Sequence, residues 1–245
     1  MSNVDLAATI LAGALALAVP LTGPIERRIY RSDPDTPLKL MTYGTNIILL
    51  WALTGAAVGI DGWGRLLESP VAGAAWPTAP TIVSPVLGVA IAVYFAVALT
   101  PLAQSLRGLR WRKAYAAAVR RGFAHIPGLL PNTAVERAAF ALLSLTAGLC
   151  EEVLYRGFLI RFLHEGGVAM PLVGALAVSA LVFGLAHAYQ GFKGVVGTTI
   201  GGLSLGLMFL LSGSLIPGIV VHALMDLQMV HVLRPFPDDR AAEPT

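Results

Sequence analysis

Charge is what this sequence has least of. Of its 245 residues only 13% are Asp, Glu, Lys or Arg, while 56% are hydrophobic and the mean hydropathy is +0.73. A soluble domain carries about 25% charge, so an ordinary water-soluble globule and a nucleic-acid binder are both excluded. Disorder is excluded too, because it requires low hydrophobicity together with high charge. Cysteine is nearly absent. Cys150 stands alone, so no intramolecular disulfide can form and the redox compartment is not written in the chain. The first apolar run, MSNVDLAATILAGALALAVPLTGP, lacks the basic flank of a secretory signal and reads as a retained membrane helix.

What is present is long apolar runs. Crossing about 30 Å of hydrocarbon takes about 20 apolar residues in a helix, and backbone groups in lipid must be satisfied within the segment. Seven stretches qualify, near 4–22, 41–60, 82–104, 138–160, 169–190, 194–213 and 215–233. The expected fold is an all-α polytopic bundle of about seven transmembrane helices. An eighth helix, amphipathic and lying on the membrane surface, is the alternative to a solvated basic loop at 105–124, where Arg alternates with Leu, Trp, Tyr and Phe. SDPDTP at 32–37, WPTAP at 76–80 and HIPGLLPN at 125–132 mark connections. The whole of 1–245 reads as one integral membrane domain, with a short polar tail at 234–245.

Most of the 17 basic residues fall on one side of this topology, including Arg27, Arg28, Arg31, Lys39, the run from Arg107 to Arg137, Lys193 and Arg234. Positive residues mark cytoplasmic loops. The expectation is a multi-pass protein of a cell membrane, with its N-terminus outside and its C-terminus inside. Short loops and small size point to a bacterial inner membrane.

Ionisable residues inside membrane helices are costly and mark function by default. Three clusters stand out. In the first, Glu152 and Arg156 are spaced i,i+4 and can neutralise each other, which leaves Glu151 uncompensated and available as a general base. The second is Phe183-Gly-Leu-Ala-His187. The third is His222-Ala-Leu-Met-Asp226, a pair on one helix face that can orient an imidazole, bind metal or stabilise an oxyanion. The plainer readings are a buried salt bridge, a satisfied histidine and a polar pair joining two helices. His231 lies near the membrane edge.

Other patterns carry less. His164-Glu165 has no second histidine in zinc-protease spacing. Cys150, among apolar residues and beside carboxylates, makes a poor nucleophile. Gly202-Leu-Ser204-Leu-Gly206 matches a hydrolase motif by letters, but no strand precedes it. An intramembrane serine protease using Ser204 and His222 is the alternative to plain glycine-mediated packing of this helix.

Taken together, Glu151-Glu152-x-x-x-Arg156, Phe183-x-x-x-His187 and His222-x-x-x-Asp226 resemble the signature of the CPBP family over residues 137–233. That family comprises CAAX prenyl endopeptidases, bacteriocin-processing enzymes and abortive-infection-like proteins. The resemblance implies an intramembrane endopeptidase of glutamic type, acting on a membrane-associated peptide or protein. It implies Glu151 as the base that activates water with help from His187, His222 and Asp226 at the oxyanion, and Glu152 and Arg156 as supports. No cofactor is required on this reading. The open alternative is a divalent metal such as zinc, held by Glu151, His187 and His222. A non-catalytic immunity or transport protein is the remaining class. The expected partners are the bilayer and a membrane-associated peptide or protein substrate, with no nucleic acid, and oligomeric state is not readable.

Overall fold

A computed structural model describes residues 3–32, 34–70, 83–166 and 168–236. The 76–80 connection and most of the polar tail, from 237 onward, lie outside the described residues. The described residues are mostly helical: α1 (Asn3–Gly13), α2 (Val19–Arg31), α3 (Thr36–Asp61), α4 (Trp63–Leu67), α5 (Val83–Leu106) and α6 (Leu109–Gly122), then α7 (Ala134–Glu151), α8 (Ile160–Glu165), α9 (Leu172–Ala186), α10 (Gly191–Ser212) and α11 (Ile216–Val232). Among the described residues there is no strand, only an isolated bridge between Glu68 and Ser214.

Among the described residues five helices are long and apolar enough to cross a bilayer: Leu6–Arg31, Thr36–Asp61, Pro85–Leu106, Ala134–Glu165 and Ala188–Ser212. Two shorter apolar helices, Leu172–Ala186 and Ile216–Val232, complete the set. This is the expected helical bundle with three altered edges. The first helix does not stop near residue 22. It passes through a π-helical stretch at Ala14–Ala18 and on through Pro20 and Pro24, so Arg27, Arg28 and Arg31 sit on α2 and not in a loop. The fifth expected helix ends at Ala186, short of 190. The 105–124 region contains a helix, α6, whose Ala116 and Val119 pack on Leu130, Val232 and Leu233.

Local chemistry sets several helix starts. Asp35 caps α3 by accepting from the Leu38 amide at 3.2 Å. Thr133 and Glu136 form a reciprocal capping box at the start of α7. The same Glu136 is buried and saturated. It accepts from Thr36 Oγ1 at 2.6 Å and from the Asn132 amide at 2.7 Å, and Lys39 Nζ lies 3.8 Å away. This cluster fixes α7 against α3. At the far end of the same continuous helix, Arg161 binds Glu165 and the carbonyls of Arg65 and Glu68. The main core lies between these anchors, around Leu154, Phe158, Leu176, Phe183, Phe209 and Leu215. Outward-facing apolar side chains such as Leu17, Ile48, Val97 and Val173 are more than half exposed, as expected where lipid is the solvent.

Candidate active site

The site is organised by the helix that runs from Ala134 to Glu165. It is α-helical up to Glu151 and π-helical over Glu152–Leu159. Wide turns of this kind recur at functional sites because they re-aim side chains. Here the change of pitch falls between the two glutamates. Glu152 is fully buried, and its Oε1 lies 2.9 Å from Arg156 Nη1. The expected i,i+4 pair is therefore formed, as an ion pair in contact without an aligned hydrogen bond at Nη1. Arg156 also donates from Nη2 to the Gly202 carbonyl at 3.3 Å and stacks over the Phe183 ring at 4.3 Å.

Close helix approach delivers the second histidine. A Cβ at Gly148 would stand 2.8 Å from the backbone nitrogen of Ala223, so α7 and α11 meet nearly backbone to backbone, as small residues permit in membranes. His222, the preceding residue, is thereby set against the glutamate pair. Its Nδ1 donates to Glu152 Oε1 at 2.8 Å, because an ionised carboxylate can only accept. Its Nε2 faces Glu151 Oε2 at 3.6 Å and Asp226 Oδ2 at 3.8 Å. Both gaps exceed direct hydrogen-bond length, and separations of this size are ones a bridging water can span. The sequence suggests that Asp226 orients the imidazole of His222. In the structure Glu152 holds that ring, so Glu152 serves Arg156 and His222 at once.

The third element arrives from α9. At 15 residues this helix rises about 22 Å, less than the bilayer core, and its C-terminal end meets the cavity at His187. His187 caps that end, and its Nδ1 bonds to the Phe183 carbonyl at 2.8 Å. A carbonyl accepts only, so Nδ1 carries the proton and Nε2 is the lone-pair nitrogen of the neutral ring. The Phe183 ring sits 4.7 Å from His187 and 5.9 Å from His222, forming an apolar floor common to both. A Cβ at Gly202 would meet Phe183 at 2.9 Å. Glycine on α10 is what lets this ring and the arginine beneath it lie flat.

Glu151, His187, His222 and Asp226 all line one cavity of about 380 Å³, together with Tyr155, Phe183 and Tyr189. The cavity runs between α2, α3, α7, α9, α10 and α11. At its other end it reaches Tyr30, Phe123, Leu129 and Met229, beside the arginine-bearing ends of α2 and α6. From the helix ends alone, His187 and His222 look separated in depth. The short α9 and this cavity bring them together. Glu152 and Arg156 stand behind the wall and do not line it. Cys150 is buried and outside it. Ser204 is outside it as well, its hydroxyl donating to the Ile200 carbonyl at 2.9 Å, so no Ser204–His222 dyad exists in this arrangement. Among the described residues, no group of three or more His, Cys, Asp or Glu side chains is gathered so that it could hold a metal ion.

Sequence reasoning missed Glu26, Tyr30 and Tyr189 as cavity residues. The local signal for Glu26, a lone acid in an arginine-rich segment, was masked by reading that segment as a loop.

Residues 133–228 match the family model described as Type II CAAX prenyl endopeptidase Rce1-like. This stretch holds all three clusters and agrees with the resemblance seen in the motifs. The match supports an intramembrane endopeptidase, with a peptide or protein as substrate and the bilayer as surroundings. No curated protein and no solved structure matches the chain.

Proposed function

We propose that this protein hydrolyses a peptide bond in a membrane-associated peptide or protein, with a water activated by Glu151. The observation that carries the reading is the convergence of Glu151, His187, His222 and Asp226, from three separate helices, on one largely apolar cavity. Water held between Glu151 and His187 attacks the scissile carbonyl and gives its proton to Glu151. His187, with Nε2 as acceptor, positions that water. The developing oxyanion accepts a hydrogen bond from Nε2 of His222 in its imidazolium form, whose Nδ1 proton stays hydrogen-bonded to Glu152, while Asp226 lies 3.8 Å from that Nε2. Collapse of the tetrahedral intermediate breaks the C–N bond, and the leaving amine takes the proton from Glu151. Water and peptide thus become acid and amine with no further reactant.

The polar residues behind the wall serve orientation. Glu152 fixes the His222 ring through its Nδ1, and Arg156 pairs with that glutamate beside an apolar core. Such supports matter because a catalytic group misplaced by about 1 Å can lose two orders of magnitude. The reading uses no resident metal. Undiminished cleavage in chelator would agree with it, and loss of cleavage that zinc restores would contradict it.

The arginine-bearing helix ends support a cavity mouth on the cytoplasmic side by the positive-inside rule, with α6 along that surface. The whole chain then acts as one membrane domain, and a bacterial inner membrane is the setting that fits it. The test compares peptide ends in membranes from cells carrying wild type, a deletion, or Glu151→Gln. Ends that vanish in both altered strains would support the protease and name its substrate. A deletion phenotype that Glu151→Gln does not share would refute catalysis and favour an immunity or transport role.

A further inference from the structure

The cavity contains a carboxylate that belongs to none of the three motifs. Glu26 reaches its wall from α2, alongside Thr22 and Tyr30. Helical spacing separates α2 into two faces. Val19, Thr22, Glu26 and Tyr30 face the cavity, while Gly23, Arg27, Arg28 and Arg31 line a separate groove with Ala188. The arginines beside Glu26 in sequence are therefore turned away from it. Its one hydrogen bond comes from the Thr22 hydroxyl at 3.3 Å, and among the described residues no lysine or arginine pairs with it. The cavity wall as a whole holds three carboxylates (Glu26, Glu151 and Asp226) and two histidines, with no lysine or arginine.

An ionised carboxylate in apolar surroundings is unfavourable unless a cation or several donors meet it. The wall around Glu26 supplies one hydroxyl. A cation from outside the protein would complete its surroundings. We propose that Glu26 is the subsite for a cationic group of the substrate, a Lys or Arg side chain or an α-ammonium close to the scissile bond. Glu26 and Glu151 face the same 380 Å³ space, so the cationic group lies within a few residues of the bond that is cut. The inference rests on the peptidase reading and extends it to the class of substrate.

The test uses membrane peptide ends from cells expressing the full chain as wild type, Glu151→Gln, Glu26→Gln, Glu26→Asp or Glu26→Lys, each at matched protein level. The Glu151-dependent ends are sorted by whether a basic group flanks the cut. Losing one charge-assisted contact should lower the ratio of basic-flanked to other ends about tenfold in Glu26→Gln. Glu26→Asp should recover most of that ratio, and Glu26→Lys should invert the preference toward acidic flanks. Glu151-dependent ends with no basic flank in wild type would overturn the inference and leave the protease intact. An unchanged ratio in Glu26→Gln would do the same. Absence of any Glu151-dependent end would overturn the protease reading itself, and the inference with it.

Discussion

Glu136 and Glu151 lie on the same helix, 15 residues apart and hence separated by about 22 Å. Both are enclosed within the protein, yet their surroundings differ in kind. Glu136 is met by a hydroxyl, two backbone amides and a lysine, and it does not line the cavity that Glu151 faces. Glu151 has only a histidine nitrogen at 3.6 Å and opens onto the cavity. A carboxylate with all its lone pairs satisfied has nothing left for a substrate and acts as a fastener. A carboxylate left unsatisfied beside space for water can act as a base. Glu152 stands between the two cases. It is wholly buried and holds an arginine and a histidine, while its second oxygen lacks a partner.

The contrast can be broken by substitution. The largest effect on turnover should come from Glu151→Gln, which keeps shape and removes the base. Cleavage should fall by about 10²–10⁴-fold, measured on the ends that depend on this protein. Next comes Glu152→Gln, where both properties should suffer. Leaving Arg156 as an uncompensated buried charge costs about 3–5 kcal/mol, read as an earlier melt in detergent, and the freed His222 ring should lower cleavage of the surviving folded fraction. Glu136→Gln should cost about 1–3 kcal/mol through lost buried hydrogen bonds, with cleavage per folded molecule near wild type. The smallest effect belongs to Ser204→Ala. Its hydroxyl bonds only within its own helix, so both melt and cleavage should be unchanged, and lost cleavage would revive a serine mechanism.

Much of this was legible in the sequence for simple reasons. Apolar runs of membrane length announce helices, and charges inside them announce a site, because both follow from the exclusion of water by lipid. The pairing of Glu152 with Arg156 followed from helical spacing alone. What could not be read depended on packing between distant segments. The bond from His222 to Glu152 spans 70 residues and exists because Gly148 lets α11 approach. Arg27 and its neighbours look like loop residues, since proline and arginine are poor guests in lipid. Yet Pro20 and Pro24 are tolerated in a helix whose interruption is absorbed by a π-helical stretch, and this hid Glu26. The end of α9 at Ala186 has no strong stop signal, and the depth of His187 remained ambiguous until the short helix was seen.

The difference between the two glutamates is tested most directly by measuring purified Glu151→Gln and Glu136→Gln side by side in one detergent. Thermal melting and cleavage per folded molecule would be recorded for each. The account predicts a crossed result: Glu151→Gln melts like wild type and does not cleave, while Glu136→Gln melts earlier and does. Cleavage retained by Glu151→Gln, or lost equally in both variants in proportion to lost stability, would contradict it.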